Sequence, residues 1–563
     1  MTRRLVEVID LNVVARTDAG VEVPIVKNVN FSLEAGQVVA LIGESGSGKT
    51  TVALSLLGYA RRGCRIVGGH VRVGNVDVVN ADDATLRDVR GRQVSYVAQS
   101  AAASFNPSRT IMDQVVEGVC LYGLMSRQAA CKKAVELFRA LALPSPDTIG
   151  GRYPHQVSGG QLQRLMAAMA LMADPEVVVF DEPTTALDVT TQIEVLCVFK
   201  RAIQDRNTSA VYVSHDLAVV AQMADEVVVL KNGEIQEAGA IDQIIATPAH
   251  PYTRSLMAAA APVARLTVAD QAQAQVQEPL LQVKGLVAGY GKLDANGVPA
   301  IKILNDIDMT VRRGTTMGVI GESGSGKSTL AYVIAGLLGP AKGSLRFAGK
   351  PLGGTLRERD PEYYRRIQLV FQNADTVLNP SREIGDILAR PLKMFERCAP
   401  AEIAARVKRL LDMVKLPAHI ARRRPAELSG GQKQRINLAR ALAAEPDLII
   451  CDEVTSALDT VVGAAILDLL VELRRELNMS YVFISHDIST VRTTCDDITV
   501  LFGGDKVDAC RRDELTVQPR HPYTNLLVDS VPELRRGWLE AASGRIAASQ
   551  ARRKEQASHV VKP

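Results

Sequence analysis

One octapeptide occurs twice in this chain, and it limits the possible fold more than any other feature. Gly43-Glu44-Ser45-Gly46-Ser47-Gly48-Lys49-Thr50 follows the apolar run 37–42 (QVVALI) and leads into 51–57 (TVALSLL), which reads as a helix. A strand, then G-x-x-x-x-G-K-[ST], then a helix is the context of a phosphate-binding P-loop. Glycines let backbone N–H groups turn inward around phosphate oxygens, and the helix N-terminus adds partial positive charge. Lys49 can reach the β- and γ-phosphates and the Thr50 hydroxyl can ligate Mg²⁺. Gly43, Ser45, Gly46, Gly48, Lys49, Thr50 and Thr51 are therefore candidate nucleotide ligands. In the second match, 321–328 (GESGSGKS), the corresponding residues are Gly321, Ser323, Gly324, Gly326, Lys327, Ser328 and Thr329. Average residue usage gives roughly 0.02 such matches in a chain this long.

The repetition extends over whole domains. The second loop begins 278 residues after the first (321 − 43), and Gln372 follows Gln99 by 273. Ser429 follows Ser158, Asp452 follows Asp181, His486 follows His215 and His521 follows His250, each by 271. The boundaries read as a first domain over 1–261, a linker over 262–279, a second domain over 280–534 and a tail over 535–563. The linker is rich in Ala and Gln, and the tail, with its basic run 552–554, reads as solvated.

With 563 residues, two domains of ordinary size fit. A net charge of +4, from 66 basic and 62 acidic residues, gives no electrostatic case for nucleic acid as a partner. No apolar run reaches the length of a membrane span. Glu7 and Asp10 interrupt any leader-like apolar region after Met1, so the N-terminus reads as a strand of a cytoplasmic protein. The eight cysteines contain no C-x-x-C pair, which excludes zinc-ligand spacing and a disulfide framework.

Within each copy, the short apolar runs 176–180 (EVVVF) and 447–451 (DLIIC) suit strands covered on both faces of a parallel sheet. They end at Asp181-Glu182 and Asp452-Glu453, where one carboxylate can hold Mg²⁺ and its neighbour can polarise water. The segments 111–143 and 384–416 have helical spacing and read as a helical subdomain. Ser158-Gly159-Gly160-Gln161 and Ser429-Gly430-Gly431-Gln432 each open a helix, as an N-cap or as an anion site.

These last motifs resemble the signature sequence of ATP-binding-cassette (ABC) ATPases, and the family's other marks follow in order. Gln99 and Gln372 match its Q-loop, 186–188 and 457–459 its D-loop, and His215 and His486 its switch histidine. The resemblance implies an α/β fold of two tandem P-loop ATPase domains. Each would have a mostly parallel sheet core, an antiparallel β part and a helical subdomain. It implies catalytic roles for Glu182, Glu453, His215, His486, Gln99 and Gln372. Mg²⁺ would be held by Thr50, Gln99 and Asp181 in one site and by Ser328, Gln372 and Asp452 in the other. ATP would lie between one P-loop and the opposite signature, so Ser158, Gly160, Gln161, Ser429, Gly431 and Gln432 join the nucleotide ligands. The family also stacks an aromatic residue on adenine. Tyr290 matches that position in the second copy, whereas Ala15 stands there in the first, and Phe31 reads as core.

His250-Pro251-Tyr252-Thr253 and His521-Pro522-Tyr523-Thr524 resemble the closing element of dipeptide and oligopeptide importer ATPases. Phe105-Asn106-Pro107 and Leu378-Asn379-Pro380 are similar to the same subfamily. The chain is thus similar to fused double-ATPase subunits of such importers. Two membrane-spanning permease subunits and an extracytoplasmic substrate-binding protein are the implied partners, with the chain peripheral on the cytoplasmic face of the inner membrane. No cysteine follows Cys510, so the iron–sulfur cluster of some relatives is not expected. Val454 stands where the family has proline after the Walker B glutamate. A tandem cassette acting on ribosomes or nucleic acid is the alternative, but the short, nearly uncharged linker and the lack of zinc modules weigh against it. An exporter ATPase is a third reading.

Overall fold

The computed structural model describes residues 3–17, 20–185, 187–261, 264–266, 277–456 and 458–545. Two compact units divide the chain: 1–261 with 459–461 and 532–547, and 262–458 with 462–531 and 548–563.

In the first unit, the strands are β1 (Arg4–Arg16), β2 (Glu22–Glu34), β3 (Val38–Ile42), β4 (Cys64–Val73), β5 (Val76–Asp77), β6 (Val94–Val97), β7 (Val177–Asp181), β8 (Ser209–Val213), β9 (Glu226–Lys231) and β10 (Glu234–Ala240). They form two sheets, an antiparallel one in the order β2-β1-β4-β5 and a six-stranded one in the order β10-β9-β3-β8-β7-β6. The second sheet is parallel except for the β9–β10 pair. Strands β3, β7 and β8 are buried at every residue, as continuous apolar runs covered on both faces must be. The core lies between the sheets around the P-loop helix Lys49–Ser55, where Val52, Ala53 and Leu56 meet Leu11, Leu33 and Leu41. Phe31 is half-buried and packs against this core.

The second unit repeats the plan. Its six-stranded core contains Thr316–Ile320, Leu448–Asp452 and Ser480–Ile484, each fully buried and paired in parallel. Its antiparallel strands join that core through the pair Asn305↔Asp505, which makes one ten-stranded sheet. Helices fill the expected subdomain in both units: Ile111–Leu121 and Arg127–Ala140 in the first, Ile384–Met394 and Ile403–Met413 in the second.

The domain limits differ from the sequence reading in two places. Residues 264–266 belong to the second unit, and most of the linker lies outside the described residues. The part of the tail described, up to residue 545, is not a solvated end. It packs in the first unit and is helical over 538–545, with Trp538, Leu539 and Ala542 nearly inaccessible. Those three apolar residues share a helical stripe, and burying it outweighs leaving the segment in water. The basic run 552–554 lies outside the described residues.

Candidate functional site

Each P-loop is a strand-to-helix turn that only glycine can make. Gly43 has φ 144°, and a Cβ built there would lie 2.0 Å from the Leu230 carbonyl oxygen. At Gly321 the same construction gives φ 155° and 2.2 Å to Leu501 O. An added side chain at either position would push the loop off the neighbouring strand. Lys49 Nζ donates to Gly43 O at 2.7 Å and Glu44 O at 2.9 Å, and Lys327 Nζ donates to Gly321 O and Glu322 O at 2.8 Å each. Burial pushes the Lys49 ammonium below the usual lysine range, opposed by the negative charge of Glu182.

The acidic pair closes each site. Thr50 Oγ1 donates to Asp181 Oδ1 at 2.9 Å, and Ser328 Oγ donates to Asp452 Oδ1 at 3.3 Å. Burial raises both aspartate carboxyls above their ordinary range. A hydroxyl beside a carboxylate is an oxygen donor set that fits a hard divalent cation such as Mg²⁺. The loops also carry Ser47 Oγ and Ser325 Oγ, which are buried and have no hydrogen-bond partner among the described residues. Their place in loops already lined with N–H groups fits a phosphate-bearing ligand.

The glutamates sit at the centre of a repeated network. Glu182 and Glu453 have φ 48° and 49°, the left-handed region that non-glycine residues rarely enter. Their N–H groups donate to Val213 O and Ile484 O, each at 3.0 Å, which pins the turn to the next strand. Gln99 Nε2 donates to Glu182 Oε2 at 2.8 Å, and His215 Nδ1 lies 3.1 Å from Glu182 Oε1. In the second unit Gln372 Nε2 donates to Glu453 Oε2 at 2.9 Å, and His486 Nδ1 lies 3.3 Å from the same oxygen. Burial alone would raise the glutamates and lower the histidines. The hydrogen bond and charge between the partners more than offset it, leaving both glutamates lowered and both histidines raised. Local strain that recurs at the same carboxylate in both units is the kind held at functional sites. With Val454 in place of Pro183, the φ values of the preceding glutamates still differ by only one degree.

The signature residues cap their own helices. Ser158 Oγ accepts from Gln161 N at 3.3 Å while Gln161 Oε1 accepts from Ser158 N at 3.2 Å, and Ser429 with Gln432 does the same at 3.4 and 3.1 Å. At Gly160 a Cβ would lie 2.3 Å from Thr191 Cγ2, and at Gly431 2.3 Å from Val462 Cγ1. Tyr290 is 43% exposed on its strand, available for stacking, and Ala15 is half-buried. Thr51 and Thr329 lie in the first turns of their P-loop helices. Ala186 and Ala457 of the D-loop lie outside the described residues.

Four contacts were not legible in the sequence. Tyr96 donates to Asp181 Oδ2 at 2.7 Å, and Thr185 donates to Glu182 Oε2 at 3.3 Å. Tyr252 and Tyr523, from the two His-Pro-Tyr-Thr elements, accept the N–H groups of Glu44 at 3.1 Å and Glu322 at 2.6 Å through their hydroxyls. The tyrosine is thus a buttress for the second P-loop residue, a role that helix-start chemistry at His250 and His521 does not suggest.

The chain matches the family described as "ABC transporter" over residues 26–185 and 304–456. It matches "Oligopeptide/dipeptide transporter, C-terminal region" over 236–282 and 507–556. Similar curated proteins include the glutathione import ATP-binding protein GsiA of Salmonella choleraesuis (strain SC-B67), 35% identical over 94% of this chain and 90% of that protein. GsiA of Escherichia coli (strain K12) is 35% identical over 90% of this chain and 86% of its own length. GsiA of Pectobacterium atrosepticum is 34% identical over 94% and 90%. Among solved structures, an ATP-binding cassette in a post-hydrolysis state bound to ADP and Pi aligns with 42% of this chain and 98% of its own, at 26% identity and a TM-score of 0.38.

Replacing Tyr252 or Tyr523 by phenylalanine removes the acceptor of a P-loop N–H while keeping the ring. Each change is expected to weaken ATP binding at its own site roughly fivefold, about 1 kcal/mol, without altering the far-ultraviolet circular dichroism. ATP titration of each variant checks this, and unchanged affinity would remove the buttress role.

Proposed function

The chain belongs to the ABC transporter family as the ATP-hydrolysing subunit of a membrane importer of the oligopeptide/dipeptide type, and we propose that each repeat builds one hydrolytic centre. The glutamate network present in both units supports this reading most directly, because every catalytic group is kept twice.

In the first centre, the N–H groups of the loop, the Lys49 ammonium and the helix N-terminus bind the phosphates. Glu182 takes a proton from the attacking water at a carboxylate oxygen, and His215 holds that carboxylate and the transferring phosphoryl group in line. Gln99, bonded to the same glutamate, connects the centre to the helical subdomain that follows it in the chain. Lys327, Glu453, His486 and Gln372 do the same work in the second centre. Mg²⁺ would be held by Thr50, Asp181 and Gln99 in one centre and by Ser328, Asp452 and Gln372 in the other, and it supplies neutralisation of charge on the phosphate oxygens. Completion of each centre by the signature residues of the other repeat, as the family resemblance implies, is part of the proposal.

Permease subunits in the membrane are the partners of such a subunit. No described helix is long and apolar enough to cross a membrane, in keeping with an ATPase that meets the membrane through those permeases. We place it on the cytoplasmic face, served by an extracytoplasmic substrate-binding protein. The cargo is proposed to be short peptides or related small solutes. The relatives' names point to glutathione as the first compound to try. Affinity purification from membranes is expected to recover two multi-spanning proteins with this chain. Uptake of labelled glutathione and tripeptides is expected to stop when both lysines, Lys49 and Lys327, are replaced by alanine. Recovery of ribosomal particles instead would overturn the importer assignment at the level of this protein.

The two sites differ at one adenine-facing position, Tyr290 against Ala15. Base–aromatic stacking is worth about 1–3 kcal/mol in nucleic-acid binders, which by analogy makes the first site roughly 5- to 150-fold weaker for ATP. Tyr290→Ala is expected to weaken the second site and Ala15→Tyr to strengthen the first, with each site titrated while the other lysine is replaced. Equal wild-type affinities unchanged by either substitution would contradict the asymmetry.

A further inference from the structure

The first unit is completed by a piece of chain that follows the whole of the second repeat. Gln222 lies near the end of the helix Leu217–Met223 and is 2% exposed. A buried amide needs partners, and it finds them in the segment after Val531. Its Nε2 donates to Glu533 O at 2.9 Å and Arg535 O at 2.8 Å, and its Oε1 accepts from Leu539 N at 3.0 Å. Three main-chain groups of one segment thus converge on one side chain. Around this clamp Trp538 and Leu539 are 2% exposed and Ala542 is fully covered. Lys200 ties the two sides together, donating to Gln222 O at 2.6 Å and pairing with Glu540 at 2.6 Å.

The clamped helix begins immediately after His215. Asp216 caps it by accepting from Ala218 N and Val219 N, and Ser214 Oγ accepts from Asp216 N. His215 is therefore held at one end of a seven-residue rod whose other end is gripped by residues 533–539. A second connection reaches the strand that feeds the P-loop. Asp225 Oδ2 accepts from Val38 N, the first residue of β3, while Asp225 Oδ1 accepts from Arg536 Nη2 at 2.8 Å.

The second unit shows what the first one lacks. There Asp496 plays the part of Asp225, accepting from Thr316 N at 2.8 Å, and its cation is Arg474 of the unit's own helix, in a pair 7% and 5% exposed. The residue 271 positions before Arg474 is Ile203, so the first copy has no internal counterpart for Asp225 (474 − 271 = 203). Arg536 supplies the charge instead. The pair is about half exposed, so most of the docking energy comes from the Gln222 clamp and the buried Trp538 rather than from this ion pair. The residue 271 before Arg536 is Arg265, which bonds Thr493 and Asp468 within the second unit, but without a buried amide clamp (536 − 271 = 265).

We infer that residues 532–545 are a strap that sets the position of the His215 loop, so that ATP hydrolysis at the first site depends on the chain's own C-terminal segment. Gln222 is the positioning residue through which it acts. The inference rests on the first P-loop being an ATP site. Radiolabelled ATP binding, measured on the same samples, separates a failure of that reading from a failure of the strap.

Trp538 is the chain's single tryptophan, so the strap carries its own reporter. In the full-length protein, Mg-ATP is expected to produce a saturable change in Trp538 emission in the wild type and in Lys327→Ala, but not in Lys49→Ala. Gln222→Leu should shift the emission to the red and expose it to acrylamide. The same substitution should lower first-site kcat by roughly 2- to 30-fold, the range of couplings carried through packed elements, while ATP affinity stays within about twofold. A variant ending at Val531 should reproduce the kcat loss, which keeps the test open if Gln222→Leu folds poorly. Trp538 emission indifferent to ATP that the radiolabel shows to be bound would overturn the inference. Release of Trp538 by Gln222→Leu with first-site kcat unchanged would do the same.

Discussion

A carboxylate forced into the left-handed region organises each half of this protein. Glu182 and Glu453 leave buried strands at φ values that cost energy, and a main-chain bond to the adjacent strand holds each there. The turn aims one side chain at the end of the sheet, where groups from two other segments reach it: a glutamine after β6 or its counterpart, and a histidine after the next strand. Burial in an apolar sheet on its own raises such a carboxyl above its ordinary range. The hydrogen bond and charge of the histidine more than offset this and favour the carboxylate, the form that the proposed role as base requires. The sheet, the glycine turn and the helical subdomain all converge on this point.

Much of this was legible in the sequence because P-loop chemistry ties residue types to fixed local geometry. Lys49, Thr50, Asp181, Glu182, Gln99 and His215 each sit at the end of an apolar run or beside a glycine turn, so local pattern and constant spacing locate them. Tyr252 was a different case. Its hydroxyl meets Glu44 across 208 residues of sequence, and the helix-start chemistry of His-Pro-Tyr-Thr gives no hint of that partner. Tyr96 is similar, since which residue of a short strand faces Asp181 depends on the order β6-β7 in the sheet. The C-terminal segment reads as a solvated end because of its basic run 552–554. The stripe of Trp538, Leu539 and Ala542 was visible, but the surface that covers it belongs to residues more than 300 positions earlier.

Duplication explains why the two halves agree in chemistry and differ in support. The P-loop lysine and the glutamine, glutamate and histidine of the network are the same in both copies, whereas positions around them differ: Thr50 against Ser328, Tyr96 against Leu369, Ile203 against Arg474, Ala15 against Tyr290. None of these changes removes a member of the glutamate network. The result is one side-chain network built twice with unequal support, and the first unit draws part of its support from the end of the chain.

The central claim is that Glu182 and Glu453 activate water in two working centres. Steady-state ATP hydrolysis by Glu182→Gln, Glu453→Gln and the double variant, alongside ATP binding by each, tests it most directly. The account predicts that all three bind ATP, that each single variant loses turnover at its own centre, and that the double variant falls by about 100-fold or more, the contribution of a positioned general base. Turnover near the wild-type rate in the double variant would contradict it.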